Sequence, residues 1–171
     1  MTETKAVENY VDWVRDAHAM EEQAEAMLSR MAERLEHYPE LKSRILQHIQ
    51  ETKEQQHLVQ TVLDRLDTSR SVLKDAAGKI SAMGQAMGGM FASDEVVKGA
   101  ISGYVFEQLE IASYTALIAA AQVVGDDEGV QTFTRIRSQE QEMAQWLSEH
   151  LPEVTQAFLQ RADDPDSEAK R

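Results

Sequence analysis

The chain has 171 residues, a net charge of −13 and no cysteine. The acidic excess argues against binding nucleic-acid phosphates or anionic lipid, which reward clustered Lys and Arg. The missing thiols exclude disulfides, thiolate catalysis and cysteine-based zinc sites. This length suits one domain, expected over residues 1–162, with a mobile polar tail over residues 163–171. No apolar run approaches the roughly eighteen residues of a membrane span. The N-terminal Met-Thr-Glu-Thr-Lys also lacks the basic-then-apolar order of a secretory signal, so a cytoplasmic location is expected.

Only three prolines and eight glycines occur, and long stretches carry no strong helix breaker. The chain therefore reads as all-α. Residues 7–37 carry the stripe Val14, Ala17, Glu21, Ala24, Leu28, Met31 and Leu35, the 3-4 alternation of a bundle helix with Glu21 as its one charged member. Tyr38-Pro39 ends this helix, because the residue before a proline is driven out of the α region, and Pro39 suits the first turn of the next. That second helix is expected to reach about Asp67. One face collects Ile45, His48, Glu51, Gln55, Leu58 and Val62, which puts a polar patch in a core stripe.

Residues 69–91 keep helical periodicity through Val72, Leu73, Ala76, Ile80, Met83, Met87 and Met90, although Gly78, Gly84, Gly88 and Gly89 each weaken a helix by about 1 kcal/mol. Roughly 22 residues at ~1.5 Å rise reach about 33 Å, so this segment is expected to be a crossover that sets the third helix parallel to the second. Its methionine row reads as core filling or a dimer contact, the alternatives being an adaptable binding groove and soft-metal affinity.

Ser93-Asp94-Glu95 carries the capping and acidic signals of a helix start. The third helix is expected to run to about Val124, with Phe106, Glu107, Glu110, Tyr114, Leu117 and Ala121 on one side and Ile101, Ile111 and Ile118 making another side apolar and buried. Gly125-Asp126-Asp127 closes it. The fourth helix repeats the pattern with Phe133, Ile136, Glu140, Met143, Leu147 and Leu151, and Glu140 is again the charged exception. Pro152 should kink it or begin a short C-terminal helix reaching about Gln160.

Glu21 and Glu51 thus stand at the same separation as Glu110 and Glu140, each in a mainly apolar stripe. A bundle of this pattern brings four carboxylates inward, where they need protons, partners or cations. Di-metal bundles take a Glu from each of two helices and a Glu-x-x-His from each of the other two. Here Glu54 follows Glu51 by three residues and Met143 follows Glu140 by three, so the usual histidines are missing. His48, three residues before Glu51, is either a ligand or a hydrogen-bond partner of the ligands. Tyr114, one turn after Glu110, is a helix anchor, a carboxylate partner or a redox group. His18, His37, His57 and His150 read as surface residues.

Three segments, Asp16-Ala-His-Ala-Met-Glu-Glu-Gln23, His48-Ile-Gln-Glu-Thr-Lys-Glu-Gln55 and Glu107-Gln-Leu-Glu-Ile-Ala-Ser-Tyr114, resemble signature segments of the YciF-like stress proteins of the ferritin-like superfamily. The resemblance spans roughly residues 7–152. It implies a ferritin-like four-helix bundle, a homodimer, a metal site and a role in stress response. By position it points to Glu21, Glu51, Glu110 and Glu140 as metal ligands, with Glu107 and His48 nearby. Iron or manganese would be the cofactor, and a small-molecule oxidant a candidate substrate.

The chain departs from that family where Gln108-Leu109 replaces His-Tyr, where Gln139 precedes Glu140, and where Ala144 replaces an Asp. The alternative reading is accordingly a non-enzymatic dimeric bundle that kept the shape and lost the site.

Overall fold

The computed structural model describes residues 5–66 and 95–167. These form four helices: α1 (Lys5–Arg34), α2 (Pro39–Arg65), α3 (Glu95–Val124) and α4 (Asp127–Ala162). Among the described residues there is no strand, and the fold is an all-α four-helix bundle.

Polar contacts at the two ends fix the helix directions. At one end Arg34, the last residue of α1, donates from Nε to Glu95 at the start of α3, at 2.9 Å. At the other end Tyr10, near the start of α1, and Arg65, the last residue of α2, both reach Asp126 in the turn between α3 and α4. Hence α1 runs antiparallel to α2 and α3, α4 runs antiparallel to α3, and α2 and α3 are parallel. This is the arrangement expected of a ferritin-like topology. The crossover expected over residues 69–91, with its methionine row, lies outside the described residues.

The stripe of α1 is buried as its periodicity demands: Val14, Ala17, Glu21, Ala24 and Leu28 all face the interior. The helix ends at Arg34, three residues short of the expected end, because the chain must reverse over residues 35–38 before Pro39 starts α2. On α2 the core face is rotated from the one read in the sequence. Thr52 and Val59 are buried with Ile45, His48, Gln55 and Val62, whereas Glu51 and Leu58 stand at the edge. Period-3.6 geometry allows either neighbour at each turn, and packing chose the second.

The expected inner face of α3 is buried from Phe106 through Glu107, Glu110, Tyr114 and Leu117 to Ala121. Its second apolar side is covered only in part: Ile111 and Ile118 are half-buried and Ile118 packs against the core, whereas Ile101 is 45% exposed. Val105, on the outer side, is 48% exposed, since the helix packs mainly against α1 and α4. Gly125 takes φ 78°, a left-handed conformation that favours glycine, and lets the chain turn into α4.

The separate C-terminal helix expected after Pro152 is absent among the described residues: α4 continues through Pro152 to Ala162. Proline removes one backbone donor, but Pro152 and Ser148, one turn earlier, are both exposed, so the carbonyl that loses its donor lies on the solvent side of the helix. Beyond α4, Ser167 donates from Oγ to the Arg161 carbonyl at 2.6 Å, closing a turn over residues 163–167.

Two apolar clusters fill the bundle. One contains Tyr10, Val14, Val62, Leu117, Phe133 and Ile136, and the other Leu28, Leu41, Ile45, Val96, Met143 and Leu147. Glu140 falls in sequence between Ile136 of the first cluster and Met143 of the second, His48 lies beside Ile45 and Ile49 of the second, and Glu21, Glu107 and Glu110 are flanked by Met20, Ala24, Phe106 and Tyr114 of the first, so a polar layer lies among the apolar side chains.

Candidate metal centre

Each helix sends at least one polar side chain into that layer. Glu21 comes from α1, His48 and Gln55 from α2, Glu107 and Glu110 from α3 and Glu140 from α4, and every one is at most 1% exposed. Glu107 and Glu110 share a face because they lie three residues apart, and His48 and Gln55 because they lie seven apart, two turns of helix. Tyr114, one turn beyond Glu110, is fully buried beside them.

His48 is the central group. Its Nε2 lies 3.3 Å from Glu107 Oε2 and 3.2 Å from Glu140 Oε2. Ligand atoms of His48, Glu107 and Glu140 all fall within 4.8 Å of one another, which matches a cluster around one ion. On the other side of the ring, Nδ1 lies 2.6 Å from Glu51 Oε2. The His48 backbone carbonyl accepts from Thr52 Oγ1 at 2.9 Å.

Glu21 and Glu140 are each hydrogen-bonded on one oxygen and not on the other. Gln55 donates from Nε2 to Glu140 Oε1 and, at 3.1 Å, to Gln139 Oε1. Tyr114 donates its hydroxyl to Glu21 Oε1. Glu21 Oε2, Glu107 Oε2, Glu110 Oε2 and Glu140 Oε2 are buried without a hydrogen bond, as is His48 Nε2. The close approaches of Nε2 to the two glutamates are therefore ion-pair contacts, not aligned hydrogen bonds. Gln55 Oε1 is a sixth such atom. Buried polar atoms are hydrogen-bonded in the great majority of proteins, so this concentration in one layer marks a place where a further positive group fits.

Electrostatics agree. Burial and the Glu140 charge hold the Glu21 carboxyl well above the usual glutamate range, even though Tyr114 and His48 pull it down. Burial and the charges of Glu140, Glu21 and Glu107 raise Glu110 likewise. Glu140 is pushed up to about 8, chiefly by burial and against the pull of His48. Burial disfavours an imidazolium at His48, but Glu107, Glu140 and Glu51 more than reverse this and bring it up to about 12. Without a metal ion the layer thus holds an imidazolium at His48, with Glu21, Glu110 and Glu140 favouring their protonated forms. Tyr114 is raised well above the ordinary phenol value by burial and the neighbouring carboxylates, so it stays a donor.

Of the residues singled out in the sequence, Glu21, Glu107, Glu110, Glu140 and His48 come together in this layer. Glu51 stands apart. Its side chain is 21% exposed, and it accepts from Arg44 NH1 at 3.3 Å and Gln47 Nε2 at 3.1 Å while facing His48. Burial alone would raise its carboxyl, yet His48 and Arg44 hold it below the usual glutamate range. His18, expected on the surface, is largely covered, with its side chain 12% exposed. His150 stacks on Trp146 with ring centroids 3.9 Å apart.

Sequence reasoning missed a second polar node at the end of the bundle. Asp126 caps α4 by accepting from Gly129 N at 3.0 Å. It also accepts from the Tyr10 hydroxyl at 2.6 Å and from Arg65 NH2 at 2.8 Å. The only signal in the chain was an aspartate one residue after a helix-ending glycine, which marks a cap but not its distant partners.

A cation placed among His48, Glu107 and Glu140 would meet one imidazole nitrogen and carboxylate oxygens, with Glu21 and Glu110 alongside. That mixed oxygen and nitrogen donor set can hold a hard-to-borderline metal ion. The residues present fit such an ion: they supply negative charge, unsatisfied lone pairs and a layer closed to bulk water.

The chain is 43% identical to a protein of known structure from Xanthomonas campestris pv. campestris, with a TM-score of 0.79, over 94% of this chain and 100% of that one. It is also similar in fold to YcfI of Rhodopseudomonas palustris, whose name carries only a conjectured structural role. There the identity is 23% and the TM-score 0.70, over 85% of this chain and 94% of the other. Residues 5–160 match the family described as "Domain of unknown function (DUF892)", and the chain belongs to that family.

Proposed function

We propose that this protein is a ferritin-like, YciF-type bundle that binds iron or manganese between its four helices. It serves cytoplasmic stress protection as a homodimer. The observation that carries the reading is the cluster of buried atoms without a hydrogen bond on Glu21, His48, Glu107, Glu110 and Glu140. His48, Glu107 and Glu140 hold the ion directly, and Glu21 and Glu110 lie within reach to complete or bridge it. An ion bound there supplies Lewis acidity and, for iron or manganese, one-electron chemistry toward a small oxidant such as a peroxide. The chain's own groups set the conditions: Gln55 holds one oxygen of Glu140, Tyr114 holds one of Glu21, and the apolar clusters around them keep water out.

The test is metal content and thermal stability after reconstitution with Mn²⁺ or, without oxygen, Fe²⁺. A ligand at about a hundred times its Kd stabilises the folded state by roughly 2.7 kcal/mol. The wild type should gain that order of stability and retain metal through gel filtration, whereas a Glu107→Gln, Glu140→Gln double variant should do neither. Equal metal content in the two proteins defeats the proposal.

A second reading, a bundle acting through its surface, is favoured by one observation. Ile101, Val105 and Val123 are exposed along the outer side of α3. It predicts that the double variant melts with the same response to metal as the wild type while a charged substitution such as Val105→Glu abolishes self-association.

A further inference from the structure

Glu51 was expected as a ligand in its own right, yet its surroundings give it another task. The carboxylate belongs to a local cassette on α2: Arg44, Gln47, His48 and Glu51 recur three to four residues apart and therefore share one side of the helix. Within it, Glu51 Oε2 takes the contact with His48 Nδ1 at 2.6 Å and the Arg44 guanidinium at 3.3 Å, while Oε1 takes the Gln47 amide at 3.1 Å. Both oxygens are engaged on the solvent side of the imidazole. The ring's other nitrogen points the opposite way, toward Glu107 and Glu140 at 3.3 and 3.2 Å.

An imidazole offers a metal only one nitrogen at a time, and the hydrogen bond made by the other decides which. We propose that Glu51 is a positioning residue: it accepts the Nδ1 hydrogen bond of His48 and thereby aims Nε2 at the ion held with Glu107 and Glu140, with Arg44 and Gln47 fixing Glu51 in turn. The assignment rests on the metal reading above. It explains why this chain carries His-x-x-Glu on α2 where di-metal bundles carry Glu-x-x-His. Here the histidine faces inward as ligand, and the glutamate one turn later supports it from outside.

The test compares wild type, Glu51→Ala and Glu51→Gln by Mn²⁺ calorimetry, with His48 followed by long-range ¹H–¹⁵N NMR in the Zn²⁺-loaded proteins. Partners of this kind typically contribute about ten- to hundredfold in affinity. Glu51→Ala is therefore expected to weaken Mn²⁺ by about that factor at unchanged stoichiometry. Glu51→Gln, whose amide oxygen still accepts from Nδ1, should recover most of the loss. In the wild type Zn²⁺ should sit on Nε2, and Glu51→Ala should show a mixture of Nε2 and Nδ1 forms. A merely structural glutamate would change the melting temperature of the metal-free protein without that tautomer signature.

Three results overturn the assignment: unchanged affinity in Glu51→Ala, loss of a bound ion per chain, which makes Glu51 a ligand, or Zn²⁺ on Nδ1 in the wild type. Should the wild type bind neither Mn²⁺ nor Zn²⁺, the metal reading itself fails and takes this assignment with it. Binding by the wild type with an indifferent Glu51→Ala defeats the positioning role alone.

Discussion

The bundle contains two buried polar nodes built on opposite principles. At the end of the molecule Asp126 gathers three donors, the Tyr10 hydroxyl, the Arg65 guanidinium and the Gly129 amide, so a single acid is fully satisfied. In the middle layer four buried glutamates surround one histidine, and an oxygen of each glutamate lacks a hydrogen bond. Asp126 accordingly sits below the ordinary aspartate range, drawn down by Arg65, Tyr10 and Gly129 against the cost of burial, while Glu21, Glu110 and Glu140 sit above the glutamate range. The lesson is that burial alone does not distinguish structure from function. The balance of donors to acceptors does, and only the middle layer is short of positive charge.

The largest effect should come from removing His48, the one cation of the middle layer among the described residues. His48→Leu leaves Glu107 and Glu140 facing each other without an imidazolium, and breaking a buried pair from one side typically costs about 3–5 kcal/mol. Glu140→Gln removes one acid from an excess of acids. It should leave the metal-free protein within about 1 kcal/mol of wild type, since a Glu140 raised to about 8 is mostly neutral at neutral pH and His48 keeps Glu107 and Glu51 as partners. Urea unfolding of the metal-free proteins at neutral pH measures both. Equal losses from the two variants would mean that the layer is charge-balanced as it stands, and the contrast between the nodes would disappear.

The next effect is a pH response of the middle layer. Four of its groups are shifted upward: Glu140 from 4.5 to about 8 and His48 from 6.5 to about 12, with Glu21 and Glu110 raised as well. A group whose folded value lies above its unfolded one contributes stability that is complete below the unfolded value and is lost as pH rises through the folded one. The metal-free protein should therefore lose stability between ~pH 5 and ~pH 8, by a few kcal/mol or roughly 5 °C and more in Tm. Mn²⁺ displaces protons from the same groups, so its stabilisation should be greater at ~pH 8 than at ~pH 5. Calorimetry at the two pH values with and without Mn²⁺ checks this, and a Mn²⁺ effect that grows toward acid would contradict it.

Much of this was legible in the chain because helical periodicity exposes a charge in an apolar stripe. Glu21, Glu110 and Glu140 sit where Val, Leu or Ile would continue the 3-4 pattern, and Tyr38-Pro39 and Gly125 mark turns through backbone geometry that any fold must obey. Glu51 shows the limit. One residue of rotation separates the face containing Glu51 from the face containing Thr52, and a period of 3.6 residues does not choose between them. The choice is made by what α1 and α4 present across the interface. Contacts between distant segments were equally silent, among them Tyr114 with Glu21, Gln55 with Glu140 and Tyr10 with Asp126, since no local pattern encodes a partner on another helix. Pro152 misled for a related reason: its breaker signal is intrinsic, but on an exposed face of a helix packed along its other side the lost hydrogen bond is cheap.

The smallest effect tests the end node, and its pH dependence should run the other way. Asp126→Ala removes the cap of α4 and the acceptor shared by Tyr10 and Arg65, which costs about 2 kcal/mol by the usual value of a cap with an added buried partner. Because the folded Asp126 carboxyl titrates below its ordinary 3.8, the stability it contributes is present above that value and is lost as pH falls through the folded one. The difference between wild type and Asp126→Ala should therefore be constant from neutral pH down to about pH 5 and shrink below about pH 4. Mn²⁺ affinity should not change, since the node and the middle layer share no residue. Acid unfolding curves of the two proteins, read with Mn²⁺ calorimetry of each, separate the nodes: a variant that loses both stability and metal would show that the end clamp and the charged layer act as one unit through the Tyr10, Phe133 and Tyr114 rings packed between them.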